Sequence, residues 1–126
     1  MTVIQTDPPV LEPISIVDLK SYLRIETNDE DDLLGALILA ARSHVETVTG
    51  VTLVEQGFRQ HLDDWPPGPI CLQRYPARRI EQVTVYNKDG QPQSVSVTAL
   101  EQDGASRPPR LAHSEWQKPG KVINRI

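Results

Sequence analysis

Residues 12–50, EPISIVDLKSYLRIETNDEDDLLGALILAARSHVETVTG, decide how this chain folds. They predict two capped helices joined by an acidic turn. Ser15 is placed to cap the first helix, with Asp18 three residues on to answer it and Ile14 and Leu19 spaced as a hydrophobic staple. That helix is expected from Ile16 to Ile25, with Leu19, Tyr22 and Leu23 turned inward. Thr27 and Glu30 have the spacing of a second capping box, and Asp29, Asp31 and Asp32 load the positive end of the second helix with carboxylates. Gly50 then stands where a left-handed C-cap ends it. Between them Leu33, Leu34, Leu37, Ile38, Ala41, Val45 and Val48 recur at helical spacing as one apolar stripe. Leu34, Leu37, Ile38, Ala41, Val45 and Val48 are therefore the expected core. Leu39 projects away from the stripe, among Gly35, Arg42, Ser43 and Glu46. It reads either as a singly exposed leucine or as part of a subunit contact.

Beyond Gly50 the period changes from helical to alternating. Leu53 to Phe58 alternate weakly, while Val83 to Tyr86 and Val95 to Thr98 are β-branched runs that predict strands. Lys88-Asp89-Gly90 between them reads as a hairpin turn, with glycine supplying positive φ. The expected fold class is α+β: two N-terminal helices packed on a small, mostly antiparallel β-sheet with Pro-rich loops. Residues 1–13, with Pro8, Pro9 and Pro13, are expected to form an extended N-terminal arm. Residues 14–126 are expected to form a single domain, with a helical pair over 14–50 and a β-rich part over 51–126.

A chain of 126 residues suits one domain with a modest core, and eleven prolines predict long, pinned loops. No apolar run approaches the roughly 18 residues that cross a membrane, and the N-terminus carries no signal-peptide pattern. The lone cysteine, Cys71, excludes an internal disulfide and fits a reducing cytosol; its setting in Ile70-Cys71-Leu72 reads as a small buried hydrophobe. Charge is unevenly spread. Residues 1–64 hold twelve acidic and four basic residues, a net −8, and residues 65–126 hold five and nine, a net +4. Ends of opposite sign suit head-to-tail stacking of copies, although helix capping and an ordinary solvated surface explain the same distribution.

Little in the chain suggests chemistry. His44 lies on the edge of the helical stripe, and His113 is isolated in a loop. His61 with Asp63 and Asp64 resembles a ligand cluster but lacks a second histidine at helical spacing. Asp29 to Asp32 fail the calcium-loop template, having no glycine at the sixth position and no glutamate at the twelfth. No phosphate-binding loop, nucleophile elbow or cysteine–histidine pairing is present, so no catalytic residue, metal or cofactor is expected. Arg74, Arg78 and Arg79, with Tyr75, offer a small basic patch, which keeps a nucleic-acid-binding protein as the alternative reading.

The combination Glu12-Pro13-Ile14-Ser15, Tyr22-Leu23-Arg24-Ile25, Asp29-Glu30-Asp31-Asp32, Ala40-Ala41-Arg42, Val45-Glu46 and Thr49-Gly50 resembles the head–tail connector (adaptor) family of tailed phages. The likeness continues more loosely through Phe58 to Leu62, Trp65-Pro66-Pro67, Ile70 to Pro76, Val83 to Tyr86, Asp89-Gly90, Trp116 and Val122 to Ile126. The resemblance implies a structural protein of the virion neck, assembled in the host cytoplasm of a phage or prophage. It implies a ring under the portal, dodecameric in the virion, touching the portal and the tail-side neck proteins while DNA passes without tight binding. It also implies further helices after the last strand, which this sequence does not contain. Leu39, Arg42 and Glu46 are then expected at a subunit or portal interface. The loop bearing Arg74, Arg78 and Arg79 is expected to meet an acidic surface such as Asp29, Asp31 and Asp32 on the next copy.

Overall fold

A computed structural model describes residues 1–113 and residue 120. The expectations for Trp116 and for Val122 to Ile126 lie outside the described residues. The element order is β1 (Thr2–Asp7), α1 (Ile16–Leu23), α2 (Asp31–Thr49), β2 (Gly57–His61), β3 (Ile70–Cys71), β4 (Val83–Tyr86), β5 (Pro92–Val95), β6 (Leu100–Asp103) and β7 (Arg110–His113). A 3-10 turn over Val97–Ala99 separates β5 from β6. The chain divides into two compact units, one spanning Asp7–Gly57 and the other combining Met1–Thr6 with the chain from Phe58 onward.

The first unit holds both helices. At α1 the Ser15 hydroxyl accepts the Asp18 N–H at 3.1 Å and donates to the Asp18 carboxylate at 2.6 Å, so the cap forms as its sequence directs. The helix ends at Leu23, because Arg24 takes a left-handed conformation (φ 59°) and its N–H bonds back to the Lys20 carbonyl. Gly50 (φ 74°) ends α2 in the same way, donating to the Glu46 carbonyl at 2.9 Å. The expected Thr27–Glu30 capping box is not made. Glu30 is itself the N-cap residue and offers no side-chain cap. A turn closes ahead of it instead, with the Asp31 N–H on the Asn28 carbonyl at 3.3 Å. The Lys20 ammonium clamps that turn by donating to both Asn28 (2.5 Å) and Asp31 (2.8 Å).

The second unit is built from short strands in three small sheets, ordered β1-β2, β3-β7-β6 and β4-β5. This corrects the expected fold class. The helices are not an N-terminal pair lying on one sheet: strand β1 precedes them, and the strands that follow do not merge into a single sheet. Prolines are the physical reason. Pro66, Pro67, Pro69, Pro76, Pro108 and Pro109 fall between strands or at their ends, where a missing N–H and a fixed φ stop a ladder from extending. Sheet β4-β5 is a hairpin about the expected turn, but its second strand is Pro92–Val95 and not Val95 to Thr98, which leads into the 3-10 turn. Its strands are antiparallel with Val83 opposite Val95 and Tyr86 opposite Pro92. Gly90 (φ 77°) and the Asn87 side chain, which accepts the Asp89 and Gln91 N–H groups, close its turn. Strand β7 pairs antiparallel with β3 (Ile70 opposite Leu111) and with β6 (Leu100 opposite His113). Ile70, Val85, Val95, Leu111 and Pro109 are the buried residues of this unit among the described residues. The Gln60 amide links β2 to the stretch around β3, donating to the Cys71 carbonyl and accepting the Gln73 N–H, each at 3.0 Å.

The core of the helical unit also departs from expectation. Of the six expected core residues, only Leu34 and Ile38 are buried on α2; Leu37, Ala41, Val45 and Val48 are exposed. The buried line runs Leu34–Ile38–Arg42–Glu46, four residues apart at each step. At 100° per residue it is rotated by roughly 80° from the centre of the apolar stripe. Gly35 faces α1 as well, and a Cβ built there would meet the Ile16 side chain at an ordinary 3.8 Å.

Candidate functional site

Helix α2 is inverted relative to the usual amphipathic plan. From Leu33 to Thr49 its sequence holds only two formal charges, Arg42 and Glu46, and these are 7% and 5% exposed. The opposite side, carrying Leu33, Leu37, Ala40, Ala41, His44 and Val48, is exposed and bears no formal charge with His44 neutral. A polar interior is stable only if every group finds a partner, and here they do. Arg42 Nε and a terminal nitrogen reach the two Glu12 oxygens at 2.6 and 3.2 Å, while its other terminal nitrogen meets Glu46 at 2.9 Å. The second Glu46 oxygen accepts the Leu53 N–H and the Gln56 amide, both at 2.8 Å.

Electrostatics follow from that geometry. Hydrogen bonding to Glu12 raises Arg42 further above its already high ordinary value, against the effect of burial, so it is charged at any accessible pH. Burial pushes the Glu46 carboxyl up, but the Leu53 N–H, the Gln56 amide and Arg42 together outweigh it and hold the carboxyl below its ordinary value. The network therefore ties three segments of the unit together: the stretch before α1, the second half of α2, and the loop after Gly50. Sequence reading had placed Arg42 and Glu46 beside Leu39 on a contact surface. They lie buried beneath it, while Leu39 is exposed. An isolated i,i+4 Arg–Glu pair in a helix otherwise uncharged from Leu33 onward is the available signal; Glu12 and Gln56 as its partners have none.

The remaining predicted residues sit apart from this helix face. Asp29 and Asp32 are exposed, and Asp31 is half-buried and paired with Lys20 at 2.8 Å. In the second unit the Arg74 guanidinium stacks over the Phe58 ring, 5.4 Å from its centre. Arg78 and Arg79 are exposed, and Arg79 pairs with Glu81 at 2.7 Å. Stacking and pairing of this kind leave the basic patch less free for phosphate than its sequence suggests. Cys71 is exposed, not a buried hydrophobe. Its strand is two residues long, so alternation turns Ile70 into the core and Cys71 out. Asp64 accepts the Trp65 N–H at 2.9 Å, and among the described residues no three His, Cys, Asp or Glu side chains are grouped to hold a metal. A hollow of ≈ 710 Å³ beside α1, lined among others by Ile16, Lys20, Arg24 and Asn28, is open, and its lysine is already engaged. No helix among the described residues is long and apolar enough to cross a membrane.

The chain belongs to the phage gp6-like head-tail connector protein family, whose sequence model matches residues 13–104. Membership makes it a structural component of the virion that meets other head and tail proteins. No curated protein and no solved structure matches the chain.

Proposed function

We propose that this protein is one protomer of a ring beneath the portal, which joins head to tail and lets DNA pass without binding it tightly. The single observation that supports this reading is the exposed, uncharged side of α2 in a family of connectors. Contiguous apolar surface of that kind is uncommon on a chain that acts alone and marks a contact site. The ring is dodecameric to match its portal, sits in the virion neck, and assembles in the host cytoplasm. Leu39 stands on the neighbour or portal side, supported from beneath by Arg42 and Glu46. The Arg74–Arg79 loop meets Asp29, Asp31 and Asp32 of the next copy. A duplex sliding through such a ring gains from weak phosphate contacts, because tight neutralisation would hold it in place.

The experiment is a phage or prophage lacking this gene, complemented in trans. Electron microscopy is expected to show filled heads and separate tails without the protein, and joined particles with it. Tailed, infectious particles formed in its absence refute the role. Leu39→Asp, and separately Arg78→Glu with Arg79→Glu, are expected to leave melting nearly unchanged and to reduce joining.

A further inference from the structure

The sequence holds two Asp-Gly pairs, Asp89-Gly90 and Asp103-Gly104. Such a pair is able to close on itself: the glycine nitrogen attacks the side-chain carboxyl carbon of the aspartate, and a cyclic imide forms. Glycine favours the step because it has no Cβ to block the approach and restricts the backbone least. The fold gives the two pairs opposite settings.

Asp103 is pinned. One carboxylate oxygen accepts the Ala105 and Ser106 N–H groups, each at 3.2 Å. The other accepts the Ser106 hydroxyl at 2.5 Å and the Arg110 guanidinium at 2.6 and 3.2 Å. The Ser106 hydroxyl foremost, and Arg110 after it, hold this carboxyl well below the usual carboxylate range. A carboxylate kept ionised is a poor electrophile, because its oxygen leaves as water only after gaining protons. The same bonds commit both oxygens to residues beyond Gly104.

Asp89 stands at the tip of the β4-β5 turn. It is exposed, and its carboxylate has no partner among the described residues. The bonds at this tip run through the main chain: the Asp89 N–H donates to the Asn87 side chain and the Gly90 N–H to the Asn87 carbonyl, each at 2.9 Å. A turn bond at an exposed tip opens readily. Its opening releases the Gly90 nitrogen beside a carboxyl that nothing else holds.

We infer that Asp89-Gly90 is a site of spontaneous isoaspartate formation in the folded protein, and that Asp103-Gly104 is protected from it. The Gly90 nitrogen bonds to Asp89 Cγ, and the side-chain hydroxyl leaves with the amide proton as water. Water then adds back at either imide carbonyl. Opening at the side-chain carbonyl restores aspartate; opening at the main-chain carbonyl routes the chain through Cβ and lengthens it by one methylene. Nothing is oxidised or reduced. A lengthened chain cannot keep the Asn87 turn bonds, against which Gly120 packs with its N–H on the Tyr86 carbonyl. A component of the virion is not replaced after assembly, so conversion accumulates as particles age.

The test stores the full chain in heavy-oxygen water at neutral pH, since each imide that opens takes one oxygen from solvent; peptide fragmentation then places the label. Label is expected at Asp89 and about tenfold or more below that level at Asp103, whose hydrogen bonds must break first. In guanidinium chloride the two pairs are expected to label alike. Ser106→Ala with Arg110→Gln is expected to raise label at Asp103, and Asp89→Glu to remove it from the turn. Equal label at both pairs of the folded chain, or label at Asp103 alone, overturns the assignment. So does a folded chain without label at Asp89, or a contrast that persists in guanidinium chloride. An unchanged Asp103 level in the Ser106→Ala, Arg110→Gln variant overturns the protection.

Discussion

Arg42 carries three hydrogen bonds to two carboxylates from a position that is almost wholly buried. Removing one partner of such a group leaves charge in a place that water does not reach. Arg42→Ala is expected to destabilise the helical unit by about 3–5 kcal/mol in urea unfolding. Replacing Arg42 by Met together with Glu46→Gln and Glu12→Gln is expected to cost less, since no uncompensated charge remains and the amide oxygen at position 46 still accepts the Leu53 N–H. Glu46 adds a pH dependence whose sign is fixed by its lowered pKa. Its contribution is full above the ordinary value of 4.5 and is lost as pH falls through the depressed folded value. Thermal melts between pH 7 and pH 3 are expected to show this loss in the wild type, and Glu46→Gln is expected to flatten it. A second residue makes a close backbone approach. Gly120 donates to the Tyr86 carbonyl at 2.9 Å, and a Cβ there would run into the Lys88 backbone nitrogen. Gly120→Ala is expected to abolish hydrogen-exchange protection of the amide at position 120 while the β4-β5 hairpin stays protected.

At the scale of the element, α2 separates residues that look alike in sequence. Ile38→Ala removes a buried side chain and is expected to cost about 2–4 kcal/mol, whereas Leu37→Ala, one position earlier, is expected to cost less than about 0.5 kcal/mol in the isolated chain. Gly35→Ala is expected to stabilise by about 0.5–1 kcal/mol, because the added methyl group meets Ile16 at ordinary contact distance and helix propensity rises. Chemical denaturation of the three variants checks all of this. The contrast between Leu37 and Ile38 also explains what the sequence could reveal. Ser15 with Asp18, the apolar periodicity and Gly50 specify the helices locally, so their existence, the start of α1 and the end of α2 are legible, whereas the left-handed Arg24 that ends α1 and the uncapped start of α2 are not. Periodicity reports where apolar residues lie, not what covers them. An apolar stripe can therefore be wider than the core of the unit that carries it. Strand β1 was hidden for a different reason: its partner β2 lies more than fifty residues away, and Thr2–Asp7 has no turn or cap to announce it.

For the whole molecule, the division into units sharpens the charge asymmetry. Asp7–Gly57 holds ten acidic and three basic residues, a net −7; the remainder holds seven and ten, a net +3. The sign change was readable from sequence, but its boundary was not, because residues 1–6 leave the helical unit to join strands from the far part of the chain. The exposed apolar positions of α2 are legible only in outline: Leu39 breaks the periodic pattern, whereas Leu37 and Val48 obey it and read as core although both are exposed. The whole-molecule prediction follows: Leu37→Asp is expected to leave monomer melting within about 0.5 kcal/mol of wild type and to abolish ring particles. Sedimentation velocity of the purified chain mixed with portal complexes separates the two readouts.

An ion pair kept inside α2 and an uncharged side turned outward fix how the proposed joint responds to its surroundings. Added salt weakens contacts between exposed opposite charges but leaves apolar contact intact, and it relieves repulsion between acidic units brought side by side. The contact between protomers is therefore expected to persist or tighten as ionic strength rises, and to loosen on cooling, when apolar association fades. A virion neck held in this way tolerates the salt-rich interior of a cell, and cold, dilute water is its vulnerable condition. Counting joined particles across sodium chloride concentration and temperature reads both trends.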